Sequence, residues 1–589
     1  MTMQKGQLSI HAENLLPIIK KWLYSDKDIF VRELVANGCD AISKYKALCP
    51  PQEDLCVRIG VDREKKTITI SDNGIGMTAQ EIDRYINQVA FSGAQEFIEK
   101  LEKTGAQADA IIGHFGMGFY SAFMVSDKVV IDTLSSQEGA QSAQWSSDGG
   151  LEFEMGPGSR QGHGTDIVLH VASDSEEYLD EAKIRQIAAQ YLAFMPVPIF
   201  IGEDQSPVND TEPLYLKQPK DITDEQYIEF YKKTFSTWED PLFWVHLNID
   251  FPFNLKGILY FPKINDEYRV SDGCVKLFCR QVYVAENIKE IIPEYLLLLK
   301  GVIDSPDIPL NVSRSFLQND SEVKKLSAHI SRKVADRLNA LHASEPDRYD
   351  TVWDDISLFV KFGCMRDDKF YDRVKPSLIF KTVSSESWSL ETLKEKAKAH
   401  DGVVYYAGEG NRAMPVVDYY TEKGIDVVYL DTPIDVHFVS FLEFKEPDLK
   451  LKRVDSDLAQ EMSEGQAEET QREKAEKLVR EAMGDDHLSV KLERLGDQTL
   501  PAVLTVDEQM RRMSESNRMF GGEFEMPLPT TVVLNANNAA VARLLALETP
   551  GEQDYETVRQ IYDLAMLARG TLGKDRLAAF IRRSCEMLS

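Results

Sequence analysis

Four polar residues recur in "FVRELVANGCDAISKY" (Phe30–Tyr45) at helical spacing. At about 100° per residue, Glu33, Asn37, Asp40 and Lys44 stack in one stripe opposite Val31, Leu34, Val35, Ile42 and Tyr45. The stripe is compatible with the wet face of an amphipathic helix or with a site. Three glycine-bearing segments follow it. "SDNGIGM" (Ser71–Met77) sets an acid before two glycines that allow sharp turns close to a ligand, and equally fits a plain turn. "IIGHFGMGFYSAF" (Ile111–Phe123) is a loop running into an apolar helix, an arrangement that offers backbone N–H groups to an anion. "GHGTDIVLH" (Gly162–His170) places Thr165 at the start of a strand. No Gly-x-x-x-x-Gly-Lys-Ser/Thr loop occurs, so nucleotide binding, if present, must use another solution.

These residues need a scaffold. "LCVRIGVDREKKTITISDNG" reads as two paired strands, and "KVVIDTLS", "QWSSDGGLEFEMGP" and "GTDIVLHVA" as further strands. Helices are expected in the opening stretch, in "TAQEIDRYINQVAFSGAQEFIEKLE" and in "YLDEAKIRQIAAQYLAFM". Together they predict an α+β sandwich over residues 1–205, with helices on one face of a mainly antiparallel sheet. A polar linker near 202–213 leads to a second domain over 213–455. There "FNLKGILYFPK" and "GCVKLFCRQVYVAE" read as strands and "SEVKKLSAHISRKVADRLNALHA" as a long helix. The runs in "GVVYYAGE", "VVDYYTEKGIDVVYLD" and "IDVHFVSFLEF" read as buried strands of an α/β unit. The charged stretch at 455–470 is either a boundary or a solvated helix within one domain. In the last domain, 470–589, strands "VKLERL" and "PAVLTV" precede two helical runs whose wide apolar faces predict self-association.

Composition narrows the partners. A chain of 589 residues exceeds one core, and a net charge of -29 repels phosphate backbones, which argues against nucleic acid. No run approaches a membrane span and the start lacks a secretion signal, so a cytoplasmic location and no membrane partner are expected. The seven cysteines are scattered, as reduced thiols would be, and Cys274 and Cys279 lack the second pair that a zinc site needs.

The order of the four segments resembles the Bergerat ATP-binding fold shared by gyrase-type topoisomerases, MutL, sensor histidine kinases and the heat-shock protein 90 chaperones. Longer stretches narrow this. "LLPIIKKWLYSDKDIFVRELVANGCDAISK", "IIGHFGMGFYSAFMVSDKV", "YKKTFSTWEDPLFWVH", "GILYFPK", "VKLFCRQVYV" and "DIPLNVSRSFLQND" are similar to the heat-shock protein 90 family, bacterial HtpG type. The resemblance runs from near residue 8 to the carboxyl terminus and weakens after 350. It implies a Bergerat-type ATPase α/β sandwich, an α/β middle domain and a small α+β dimerisation domain. The implied activity is that of an ATP-dependent dimeric chaperone for unfolded or partly folded clients, with slow Mg²⁺-dependent hydrolysis and other chaperones as candidate partners.

Roles follow from the resemblance and suit the residue types. Asp72 would accept the adenine amine, supported by Thr165; Asn37 would hold Mg²⁺ beside the phosphates; Glu33 would orient and deprotonate the attacking water. Asp40, Gly76 and Met77 would line the nucleotide, and the backbone from Gly113 through Phe115, Gly116 and Gly118 to Phe119 would cradle its phosphates. Arg314 and Gln318 of "NVSRSFLQN" match the family's phosphate-reaching loop, although without the resemblance Arg314 reads as a surface charge. Residues near 91–112 match the mobile lid. Trp238 matches a client-linked position, while Met510, Met513, Met519 and Phe520 fit either client contact or core packing. The chain departs from the family at Gly38-Cys39, where Ala-Ser is usual, in a shorter lid start with Phe91 in place of lysine, and in lacking a Met-Glu-Glu-Val-Asp tail. A repair or topoisomerase ATPase, the competing reading, would call for a basic groove and a lysine in place of Arg314 with Gln318. An ATPase-dead scaffold is the third reading, opposed by the presence of Glu33, Asn37, Asp72 and Arg314.

Overall fold

The structure, a computed structural model, describes residues 26–49, 54–88, 117–150, 152–251, 254–263, 273–289, 291–297, 299–308, 321–408, 415–432, 434–454, 456, 463–507, 510–512 and 530–588. It divides into two compact units, Met1–Lys333 and Val334–Ser589.

The first unit opens with helix α1 (Ile29–Leu48), followed by β1 (Val57–Asp62), β2 (Thr67–Asp72) and α2 (Ala79–Tyr85). Helix α2 starts at a reciprocal cap, Thr78 accepting from the Glu81 N–H while Glu81 accepts from the Thr78 N–H. After a 3-10 turn at Gly118–Met124 come β3 (Ser126–Leu134), β4 (Ala143–Ser147), β5 (Glu154–Pro157), β6 (Gly164–Val171), α3 (Glu181–Tyr191) and β7 (Ile199–Ile201). The seven strands form one sheet in the order β5-β4-β3-β6-β2-β1-β7, antiparallel except for the β1–β7 pair. The predicted α+β sandwich is therefore present.

Helical periodicity lets α1 bury Phe30, Val31, Leu34, Val35 and Ile42, in one core with Val57, Ile59, Ile68, Ile70, Val129, Ile131 and Leu169 of the sheet. Each such side chain contributes about 1.5–3 kcal/mol on burial, which fixes the helix on the sheet. The β2–β6 and β3–β6 registers pair Asp72 and Thr133 each with Thr165, so three strands bring these residues into one row.

Helix α4 (Asp224–Phe235) leads to a second sheet of β8 (Phe243–Ile249), β9 (Leu255–Phe261), β10 (Cys274–Cys279), β11 (Val282–Glu286) and β12 (Lys300–Asp304), ordered β11-β10-β12-β9-β8. The segment "GCVKLFCRQVYVAE", expected as one strand, is two. Arg280 and Gln281 both adopt positive φ, 53° and 65°, and turn the chain into a hairpin. That tip is pinned to earlier parts of the same unit: the Gln281 side-chain amide donates to the carbonyls of Phe194 (2.8 Å) and Thr211 (3.2 Å). Helix α5 (Ser321–Ser344) matches the long helix expected there.

In the second unit α6 (Pro346–Arg366), α7 (Asp368–Val374), the β13 (Ile379–Lys381) and β14 (Ser387–Ser389) pair and α8 (Leu390–Lys398) precede an α/β layer. The layer holds β15 (Val403–Ala407), α9 (Pro415–Glu422), β16 (Val427–Tyr429), α10 (Asp435–Lys445) and β17 (Lys450–Arg453), with the three strands parallel. Two apolar runs expected as strands are corrected here. "VVDYYTE" is helix α9, and "IDVHFVSFLEF" supplies helix α10. A short run of apolar residues serves a buried helix as well as a buried strand. Helix α10 is fixed at its start by Asp435, which pairs with the buried Lys361 at 2.6 Å and accepts from the Thr432 N–H at 2.9 Å.

The chain closes with β18 (Ser463–Gln466), α11 (Glu469–Met483), β19 (Ser489–Leu495), β20 (Ala502–Val506), β21 (Thr530–Asn535), α12 (Ala539–Ala546), α13 (Glu552–Ala568) and α14 (Lys574–Leu588). Leu478, Leu492, Leu504, Val532, Leu544 and Ile561 form its core. Leu564, Leu567, Ile581 and Met587 on the last two helices stay exposed. Among the described residues no helix is long and apolar enough to cross a membrane.

Candidate functional site

The polar stripe of α1 is not a wet face. Glu33 and Asp40 are buried, Lys44 is half-buried and Asn37 alone of the four is exposed. A buried carboxylate needs compensation. Glu33 Oε1 receives Nε (3.0 Å) and Nη2 (2.7 Å) of the buried Arg32, whose Nη1 also donates to the Tyr283 carbonyl at 3.3 Å. The other oxygen faces the glycine loop. A Cβ built on Gly118 would lie 2.6 Å from Glu33 Oε2, so a side chain there would push that oxygen aside. Burial pulls the Lys44 ammonium pKa down against the carboxylates of Asp40 and Glu81, and pushes the Cys39 thiol well above its ordinary value, leaving it an unreactive neutral group.

The next residue along α1 joins the stripe to the Asp-x-Gly-x-Gly turn. A Cβ on Gly38 would sit 3.4 Å from Asp72 Cβ and 3.1 Å from Val57 Cγ2, so the glycine permits α1 to approach β1 and β2 at the point where Asp72 emerges. The turn then lies on the helix backbone, with the Ile75 N–H donating to the Ala41 carbonyl at 3.1 Å. Gly76, at φ 64°, passes so close to the Leu134 carbonyl that any Cβ there would clash at 1.9 Å.

Asp72 is buried and its Oδ1 accepts the Gly74 N–H at 2.8 Å. Burial pushes its pKa up to about 7, opposed by the N–H groups of Gly74 and Thr165 and by Arg160, and assisted by Asp166. Behind it, Thr133 Oγ1 is 3.0 Å from Thr165 Oγ1, donates to the Gly164 carbonyl (2.9 Å) and accepts the Met77 N–H (2.9 Å). One hydroxyl thus couples three of the anticipated residues or their neighbours.

Gly118 lies against Glu33 on α1, which also carries Asn37 and Asp40, while the β2–β6 register and Thr133 join Asp72, Met77 and Thr165, with Gly76 against Leu134 and Gly164. The Phe119 ring is turned into an aromatic cluster with Phe123 and Trp145. The apolar helix expected after the glycine loop is the 3-10 turn Gly118–Met124. Gly113, Phe115, Gly116, Arg314, Gln318, Met513, Met519, Phe520 and the lid near 91–112 lie outside the described residues. Trp238 is almost fully exposed after α4, and Met510 is exposed. Arg32, Thr133 and Arg160 were not anticipated. Arg32 directly precedes Glu33, but neighbours in a helix do not ordinarily face each other, and its role depends on the length of its side chain. Thr133 and Arg160 are distant in sequence and carry no motif.

This geometry agrees with the comparisons. A family profile described as Histidine kinase-, DNA gyrase B-, and HSP90-like ATPase matches residues 25–149, and one described as Hsp90 protein matches residues 201–589. A protein of Porphyromonas gingivalis described as Chaperone protein HtpG is 37% identical over 685 aligned residues, taking in 99% of this chain and 100% of the relative. A Bacteroides fragilis protein, described as Chaperone protein htpG, is 40% identical over 583, taking in 93% of this chain and 85% of the relative. One from Idiomarina loihiensis is 31% identical over 633, taking in 100% and 99%.

Proposed function

The chain belongs to the Hsp90 protein family, and on that premise we propose that it is a cytoplasmic, dimeric chaperone that remodels partly folded proteins through a cycle of ATP binding and slow, Mg²⁺-dependent hydrolysis. Its amino-terminal domain is an ATPase domain of the gyrase, histidine kinase and Hsp90 kind. The observation that carries the mechanistic reading is the Glu33 carboxylate. It is buried against Gly118, one turn before the exposed Asn37, on a helix that packs at Gly38 onto Asp72.

Asp72 would fix the adenine end, its carboxylate taking the exocyclic amine in addition to the Gly74 N–H, with Thr165 braced beside it by Thr133. Asn37 would offer its side-chain oxygen to Mg²⁺, and the ion held there with its waters would neutralise phosphate charge. Glu33 would then orient a water and take its proton, with the Arg32 guanidinium holding the carboxylate by two hydrogen bonds. Asp40 and Lys44 complete the wall. In sequence Arg314 follows the end of β12 at Asp304, and we assign it, with Gln318, to charge on the transferred phosphoryl group. In this reading residues 1–205 bind ATP, 213–455 carry the arginine segment and 470–589 dimerise, with Trp238 and the stretch from Met510 to Phe520 available to clients.

The test is ATP turnover of the wild type and Arg314→Ala, with and without an unfolded protein. The expected result is Mg²⁺-dependent turnover that responds to the client, cut about 10²-fold in the variant. A client that changes neither turnover nor its own aggregation would remove the chaperone reading.

Dimerisation is supported by the apolar residues left open on α13 and α14, where Leu567 is 42% and Ile581 54% exposed. Replacing both, as Leu567→Glu with Ile581→Glu, should yield monomers by light scattering because each charge would be desolvated in the interface. A dimer that persists contradicts this placement.

A further inference from the structure

We propose that Arg160 is a positioning residue for nucleotide recognition: its guanidinium, bound to the Asp72 carbonyl and paired with Asp166, holds Asp72 in place and sets a positive charge toward its carboxylate. The proposal rests on the reading above that Asp72 receives the adenine amine.

Arg160 Nη2 donates to the Asp72 carbonyl at 2.6 Å, its Nε donates to the Gly162 carbonyl at 3.1 Å, and its Nη1 pairs with Asp166 Oδ1. Asp166 in turn accepts from Ser71 Oγ at 2.6 Å, so the guanidinium is tied to the Asp72 main chain and, through Asp166, to the residue before it. The path is kept clear by Gly164. At φ 117° it carries no Cβ, which would lie 2.7 Å from Arg160 Nη2 and 2.1 Å from the Asp72 carbonyl. The loop bearing Arg160 is itself anchored on Asp132, which accepts from the N–H groups of Ser159 (3.0 Å) and Arg160 (3.3 Å) and from the Ser159 hydroxyl (2.5 Å). Such a fork is a means of fixing geometry that a lysine would not reproduce.

The charge matters as much as the fork. The groups facing Asp72 are Arg160 from the loop, Asp166 from β6, and Cys39 with its neighbour Asp40 from α1. Burial and Asp166 favour the protonated acid while Arg160 favours the carboxylate, and the balance leaves Asp72 at about 7. Loss of the arginine would hold the proton on Asp72 to higher pH, removing acceptor character where the adenine amine needs it.

The test is ADP affinity of the full chain by titration calorimetry from about pH 6 to 9, for wild type, Arg160→Gln, Asp166→Asn and Asp72→Asn. The ratio of variant to wild-type affinity cancels titration of the nucleotide's own phosphates. For Arg160→Gln the binding midpoint should move up by about one pH unit, giving a loss of about fivefold at pH 7 that shrinks toward pH 9. Asp166→Asn should move it the other way. A ratio constant across pH in both variants would make Arg160 a brace without electrostatic effect and overturn the proposal. Should Arg160→Gln fail to fold, Arg160→Lys decides: it keeps the charge without the fork and should bind ADP more weakly than the wild type by a ratio constant across pH, and wild-type affinity there overturns the proposal. If Asp72→Asn binds ADP like the wild type, the reading of Asp72 fails; if it loses binding while the ratios stay flat, the assignment to Arg160 fails by itself.

Discussion

Glu33→Ala loses ATP turnover by about 10²–10⁴-fold while ADP affinity stays within about threefold. The asymmetry follows from where the carboxylate sits. One oxygen is held by Arg32 and the other faces Gly118; in the proposed reading Asp72 and Thr165 would build the adenine end, so Glu33 would act on the reacting end and contribute little to holding the base. Truncation also leaves the buried Arg32 without that carboxylate, at a cost to the fold of about 1–3 kcal/mol. Glu33→Gln separates the effects, since an amide can still accept from Arg32 but cannot take a proton from water. Turnover by Glu33→Gln near the wild-type rate, measured by phosphate release, would disprove the general-base assignment.

Asp72→Asn is the complementary case, with ADP affinity expected to fall about 100-fold or more. The reason is stereochemical. The Gly74 N–H at 2.8 Å and the Thr165 N–H both point at the Asp72 carboxylate, so an amide must turn its oxygen toward them. Its NH₂ group then opposes the adenine amine, donor against donor in a buried place, costing about 1–3 kcal/mol on top of the lost bond. The same substitution removes a buried acid with a raised pKa, so it should not unfold the protein; thermal unfolding of the free variant near the wild-type temperature is the control. Calorimetry showing undiminished affinity would mean that the adenine lies elsewhere.

Much of this site was legible in the sequence, for identifiable reasons. Helical spacing placed Glu33, Asn37, Asp40 and Lys44 on one face, and Gly76 could be recognised as a turn residue because positive φ beside a foreign carbonyl admits no side chain. Spacing could not show that Glu33 and Asp40 are buried, since polar residues at that period ordinarily face water. The supporting residues were less accessible still. Arg160 acts on Asp72 through a main-chain carbonyl 88 positions away, and an interaction with the backbone leaves no pattern in side-chain types. The hairpin at Arg280–Gln281 was missed because neither residue is glycine or asparagine, the usual signals for two positive-φ positions. The run Ile434–Phe444 was misread because apolar length alone does not separate a buried helix from a strand.

The strand order of the first sheet bears on how this protein is made. The β1–β2 and β3–β4 hairpins can form as they leave the ribosome, but each has a bare edge, and the strand that joins them, β6, is translated later. The outer edge of β1 waits longer still, for β7 at Ile199–Ile201. Before β6 docks, the bare edges of β2 and β3 and the outer edge of β1 are all open to other nascent chains, the exposure that slow, non-local β pairing brings. The proposed adenine corner draws on both halves, Asp72 on β2 and Thr165 on β6, so it would come into being when β6 docks. Acquisition of nucleotide affinity during synthesis therefore times the moment at which a chain that protects others no longer needs protection at that edge.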